Sequence, residues 1–178
     1  MIKTIALVVV LAVLALLGYA ATRPDSFRIE RSVRIQAPPE RVFALVANLE
    51  QFNRWNPWQK KDPAIRGQYG AHVSGPGASY AWQSLEVGSG SMTILESVAP
   101  ARLAMRLDFI KPFEAHSMAE FSITPDGDAS RVTWVMYGPS NFVSKLMQVA
   151  FSMDKMVGPD FERGLAQLKT RAESAAQK

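Results

Sequence analysis

The chain has 178 residues, a formal net charge of +4, 20 % charged residues and no cysteine. Scattered basic residues, with Lys60-Lys61 the only adjacent pair, exclude a nucleic-acid-binding stripe. The absence of cysteine excludes a disulfide framework and leaves the redox compartment open.

The first element decides where the protein works. Ile5 to Ala21 is an unbroken apolar run, and no charge falls between Lys3 and Arg23. A helix rising about 1.5 Å per residue over this run spans roughly the hydrocarbon core of a bilayer. Its length and its Ile, Val and Leu content favour an uncleaved anchor. The alternative is a secretory signal, with Lys3 as the basic start and Gly18-Tyr19-Ala20 before a cleavage point. The expected organisation is therefore a transmembrane anchor or signal peptide over 1–22 and one soluble domain over 23–178. The expected location is single-pass in a membrane, or secreted or periplasmic after cleavage. Arg23, Arg28, Arg31 and Arg34 favour a cytoplasmic domain. An amino terminus held inside with Lys3 would instead export it.

About 155 residues follow, enough for a single domain with a sizeable core. Phe27 to Ile35 alternates, with Phe27, Ile29, Val33 and Ile35 on one face, and predicts a half-buried strand. Arg31 interrupts the apolar face, as expected near a strand's open end. Ala37-Pro38-Pro39 starts a helix that carries Val42, Phe43, Val46 and Leu49. A second short helix is expected over Asn48 to Asn56, ending before Pro57.

Glycine-punctuated strands come next. Tyr80 and Trp82 share a face, as do Met92 and Ile94. Leu103, Met105, Leu107 and Phe109 form the clearest period-2 run. Ala119, Phe121 and Ile123, then Val132, Trp134 and Met136, repeat it. Pro125-Asp126-Gly127-Asp128 reads as a turn between them. Ser140 to Met153 predicts a helix with a wide apolar face including Phe142 and Met147. A helix start or kink is expected at Gly158-Pro159, because proline interrupts the helical ladder. The helix beyond it shows a stripe of Phe161, Leu165, Leu168 and Ala172. An antiparallel sheet must hide its apolar face, and this last helix is the available cover.

The pieces that carry a family likeness are IQAPPERVF at 35–43, FNRWNPW at 52–58, GASYAW at 77–82, GSMTI at 90–94, RVTW at 131–134 and GPDFERGL at 158–165. In this order and spacing the chain resembles the START-like, or SRPBCC, superfamily, in its polyketide cyclase/dehydrase-like branch. The resemblance implies an α+β helix-grip fold, a curved antiparallel sheet wrapped around a long C-terminal helix. It also implies an apolar cavity between them that takes a hydrophobic ligand, in some members elaborated into cyclisation or another reaction. The N-terminal transmembrane helix is an addition to that plan.

Catalytic signatures are few. His72 and His116 are far apart, and there is no HExxH pair, nucleophile elbow, GxGxxG fingerprint or phosphate loop with lysine. No metal or cofactor is expected. Histidine suits a general base near neutrality. However, strand parity puts His116 on the outward side with Glu120, and His72 falls in a glycine-rich hairpin. The inward face offers Leu, Met, Phe, Ile and Trp, with Tyr80 its main polar member. Trp55, Trp58, Tyr80, Trp82, Leu107, Phe109, Phe121, Trp134, Met136, Phe142 and Met147 are the candidate cavity-lining residues. Core packing is the ordinary use of any one of these aromatics. The reading is a membrane-tethered binder of a hydrophobic small molecule or lipid, with no nucleic-acid partner. The alternatives are a cyclase/dehydratase-like enzyme using Tyr80 or a histidine, and an interaction module whose interior is filled by its own side chains.

Overall fold

The computed structural model describes residues 2–140, 142–150 and 152–174. Helix α1 (Ile2–Ala21) precedes strand β1 (Ser26–Ile35) and three short helices, α2 (Pro39–Ala47), α3 (Leu49–Asn53) and α4 (Pro57–Lys61). Six strands follow: β2 (Arg66–Tyr69), β3 (Ser79–Gln83), β4 (Ser89–Val98), β5 (Arg102–Lys111), β6 (Ala115–Asp126) and β7 (Ala129–Pro139). Helices α5 (Phe142–Ala150) and α6 (Met153–Ser174) complete the chain.

The strands form one antiparallel sheet in the order β1-β7-β6-β5-β4-β3-β2. Consecutive strands are neighbours, except that β1 pairs with β7, from Ser26 opposite Pro139 to Ile35 opposite Ser130. The turn expected after Pro125 is present: Asp126 pairs with Ala129, and Gly127 takes φ +68° in the two-residue loop between them. One face buries Ile29, Ile35, Leu103, Met105, Phe121, Ile123, Val132 and Trp134. The other carries Arg28, Glu30, Arg34, Arg106 and Thr133, so the period-2 runs read from the sequence sort core from solvent.

Helix α6 covers the buried face with the predicted stripe of Phe161, Leu165, Leu168 and Ala172. It meets β1 from Arg31 to Gln36. Arg31 donates to Asp154 at 2.8 Å and to Glu162 at 2.8 Å. Lys169 donates to the Arg34 carbonyl at 2.7 Å, and Glu173 accepts the Gln36 backbone N–H at 2.7 Å. The N-terminus of α6 therefore points toward the end of the sheet where β1 begins, called here the α1 end.

Three expectations are corrected. Arg31 lies in mid-strand, where an inward-facing cation is satisfied by two carboxylates of α6. The last helix begins at Met153, with Pro159 inside it, so of the two outcomes expected at Gly158-Pro159 a helix start is excluded. Proline deletes one N–H bond there, and the first turn is held instead by the Asp154–Arg31 pair. Gly158 permits this, since a Cβ there would come within 2.2 Å of the Arg31 guanidinium. Finally, Asn48 to Asn56 does not form one helix. Asn48 caps α3 through the Glu50 and Gln51 N–H groups. Asn56 then accepts from the Trp58 N–H and caps α4, with Pro57 in the first turn. The proline that ends one helix starts another.

Helix α1 is apolar on all sides and exposed almost throughout. It is long and apolar enough to cross a membrane. Its buried residue is Ala20, and it packs against α5. The connector between α1 and β1 is pinned. Ser140 N–H donates to the Asp25 carbonyl at 2.7 Å, and Lys145 pairs with the Asp25 carboxylate.

Candidate ligand-binding site

The inward face of the sheet has two halves. Under α6, aromatic rings fill the space. Trp134 stacks on Phe161 with centroids 4.0 Å apart at 13° and on Phe121 at 4.9 Å and 27°. Trp55 meets Trp134 edge-on at 5.7 Å, and Trp58 does so at 5.9 Å. Phe52 closes the group against Trp55 at 4.7 Å. Gly164 lets α6 descend onto this stack, because a Cβ there would sit 2.8 Å from the Trp134 ring. The Trp55 indole donates to the Leu45 carbonyl at 2.9 Å. The buried Trp134 indole N–H has no acceptor among the described residues, an unusual state for a buried donor.

Toward the α1 end the filling changes. One row across the inner face runs through Phe27, Gly138, Ser117, Leu107, Met92 and Tyr80, with small residues in the middle. The next row holds Phe109, Gly90 and Trp82. Trp82 lies across Gly90, where a Cβ would come within 2.8 Å of its ring, and meets Phe109 edge-on at 6.0 Å. Phe27, Trp58, Trp82, Leu107 and Phe109 are only half-buried.

Tyr80 is the polar member of this region. It is buried, packs on Tyr69 at 4.8 Å and accepts a 2.6 Å hydrogen bond from Gln59 on α4. Burial pushes its phenol above the ordinary value, against the opposing effect of the Gln59 bond. The group therefore stays neutral near pH 7, with its hydroxyl proton available to donate a hydrogen bond.

The structure thus gathers Trp55, Trp58, Phe121 and Trp134 into one cluster, and Tyr80, Trp82 and Phe109 into a second string, with Leu107 beside Met92. Met136 is buried opposite Ile29 on the inner face. Phe142 is exposed at the start of α5, and the side chain of Met147 lies outside the described ones. Phe52, Phe161, Tyr69 and Gln59 complete these contacts and were absent from the candidates. Phe161 heads the apolar stripe of α6 and Phe52 opens the FNRWNPW segment, so both carried a signal. Gln59 carried none.

His116 faces away from the inner face. His116 Nδ1 lies 2.7 Å from Asp108 on the outer face and is largely exposed, as strand parity requires. This bond, reinforced by Arg106, holds the Asp108 carboxyl below the usual carboxylate range. A depression of about 550 Å³ is lined by the outward Arg28, Arg106, His116, Met118 and Tyr137 and also by Phe27, Ser117 and Gly138 of the inner-face row. A second, of about 310 Å³, lies across β2, β3 and β4, lined by Gln68, Tyr69, Ser79, Tyr80, Ala81, Ser91 and Thr93. Neither touches the aromatic cluster under α6. Among the described residues, no three His, Asp or Glu side chains converge as metal ligands.

The fold and this inner face are those of a helix-grip protein. Residues 26–173 match the family described as polyketide cyclase / dehydrase and lipid transport, and the chain belongs to that family. Solved structures share the architecture. TTHA0849 from Thermus thermophilus is 18 % identical with a TM-score of 0.60, over 84 % of this chain and 99 % of that one. A protein from Thermobifida fusca is 23 % identical with a TM-score of 0.59, over 82 % and 92 %. DynU16, of the dynemicin biosynthetic locus, is 16 % identical with a TM-score of 0.58, over 86 % of this chain and 49 % of that one. No curated protein matches the sequence.

Proposed function

We propose that this protein is a membrane-tethered binder of a hydrophobic small molecule or lipid. Residues 1–22 form the anchor and 23–178 the binding domain. The carrying observation is the unequal filling of the inner face. Toward the α1 end, Phe27, Trp82, Leu107 and Phe109 remain half-exposed around the small residues Gly138 and Ser117. Apolar surface left in water at a concave face is stabilised by a ligand that covers it, at about 25 cal/mol per Å² before ordering costs. The family's description, which includes lipid transport, supports the same chemistry. In this reading Trp58, Trp82, Leu107, Phe109 and Met136 supply apolar contact. Tyr80 orients one polar group of the ligand, and Trp55, Phe121 and Trp134 form the rigid floor.

The test is native mass spectrometry with lipid extraction on the full-length protein, purified in detergent from cells without added ligand. A reproducible hydrophobic adduct that is lost in Phe109→Ala and kept in His116→Ala supports the proposal and identifies the cargo class. An adduct-free protein that also fails to retain added fatty acid or phospholipid argues for a filled interaction module.

A second reading is favoured by one contact, the buried Tyr80–Gln59 hydrogen bond on the inner face. A cyclase or dehydratase needs such a positioned proton donor beside an apolar substrate. If turnover of a hydrophobic carbonyl compound is found, its abolition in Tyr80→Phe with retained ligand binding would favour the enzyme.

A further inference from the structure

The large apolar side chains exposed outside α1 are not scattered. Among the described residues they are Leu85, Leu95, Val98, Ile110, Phe113, Phe142 and Met156. Leu95 and Val98 lie in the half of β4 away from the α1 end. The other five share one location. Leu85 is fully exposed in the β3–β4 loop, Ile110 lies near the end of β5 and Phe113 in the β5–β6 turn, at 57 % and 61 % exposure. Phe142 begins α5 directly after β7, and Met156 lies in the first turn of α6. Strand pairing puts these loops together. Ser26 faces Pro139, Phe109 faces Ala115, Ser89 faces Lys111 and Gln83 faces Ser89, so all lie at the α1 end.

A lone exposed leucine is ordinary, but a set gathered at one end of a domain marks an interaction surface. We infer that this end is a lipid-contacting rim, with the tips at Leu85, Ile110 and Phe113 seated among the headgroups of the bilayer that α1 spans. This rests on the anchor reading above. The connector from Thr22 to Asp25 is four residues, which reach at most roughly 14 Å when extended. It is also fastened to the domain through the Asp25 bonds to Ser140 and Lys145. The domain therefore cannot drift far from the point where α1 leaves the membrane. Tyr19 and Arg23 mark that point: Arg23 lies 5.1 Å over the Tyr19 ring, an aromatic–cation pair suited to the headgroup level. Lys111 and Lys155 at the same end are exposed cations able to meet anionic headgroups, although Glu114 and Asp154 keep the rim mixed in charge. The consequence is directional. The half-exposed strip of Trp82, Leu107 and Phe109 opens at this rim, so a lipid-borne ligand enters from the bilayer without crossing water.

The absence of native cysteine makes a direct test available. The full chain is labelled with an environment-sensitive fluorophore at Leu11→Cys, Leu85→Cys, Phe113→Cys or Val98→Cys. It is then reconstituted into phosphatidylcholine–phosphatidylglycerol vesicles carrying, in parallel samples, a quencher attached at the lipid headgroup or one deep in the acyl chain. The rim predicts quenching of about twofold or more at positions 85 and 113 by the headgroup quencher, strong quenching at 11 by the acyl-chain quencher and little at 98 by either, because interfacial side chains sit within about 5–10 Å of the headgroup boundary while Leu11 lies near the bilayer centre. Quenching at 11 but not at 85 and 113 overturns the rim and leaves the anchor standing. A rim that meets a protein partner instead gives this same result. Absence of quenching at 11 overturns the anchor and the rim with it. Equal quenching at 98, 85 and 113 overturns the directional contact.

Discussion

The two halves of the inner face are built from the same residue types to different ends. Under α6, Trp55, Phe121, Trp134 and Phe161 are buried and mutually stacked, and Gly164 allows the helix to close on them. Toward the α1 end, Trp82, Leu107 and Phe109 are half-exposed around small residues, and α6 makes no hydrogen bond or ion pair with β1 before Arg31 among the described residues. The same kinds of aromatic side chain are buried in one half and half-exposed in the other. The first half supplies stability that the second half forgoes.

The largest test of this contrast is Trp134→Ala, expected to destabilise the protein by about 3–5 kcal/mol in urea unfolding, because it hollows the centre of the stack. Phe109→Ala should cost only about 1 kcal/mol by the same measurement while reducing retained ligand about tenfold, since its ring is half-exposed before binding. Equal stability losses for the two would erase the distinction. Tyr80→Phe should leave unfolding within about 1.5 kcal/mol of the parent, because one hydrogen bond is lost and Gln59 remains able to meet water. Its readout is selectivity: a bound ligand with a polar head should lose more affinity than its plain alkyl counterpart.

The smallest expected effect concerns pH. Arg31 depresses the Asp154 carboxyl, and the Gln36 backbone N–H, aided by Lys169, depresses that of Glu173. Folded values below the unfolded ones mean that this stability is present above about pH 4 and is lost as pH falls through the folded values. Thermal unfolding across pH 2–6 should therefore fall less steeply for Glu173→Gln than for the parent. An unchanged slope would show that the α6–β1 seam does not carry the acid response.

Much of the fold was legible because it rests on local periodicity. Alternation in Leu103 to Phe109 and in Val132 to Met136 marked the strands and their inward faces. The stripe from Phe161 to Ala172 marked the covering helix, and the unbroken run from Ile5 marked the candidate anchor. The candidate site was legible as a set of inward aromatics but not as two halves. Nothing local in Trp134 or Trp82 says which of them α6 will press upon. Gln59 was invisible for the same reason, since its partner Tyr80 lies 21 positions away on a different element.

By itself, the sequence determined which side chains face inward and which segment is apolar enough to enter a bilayer, because period and composition act within a few residues. Only the tertiary structure decided that Arg31 is paired rather than exposed and that α6 begins before its proline. It alone placed Leu85, Ile110 and Phe113 at the same end of the sheet as the root of α1. Each of those outcomes depends on what a distant strand or helix brings into contact, and burial and charge neutralisation are properties of contact rather than of order along the chain.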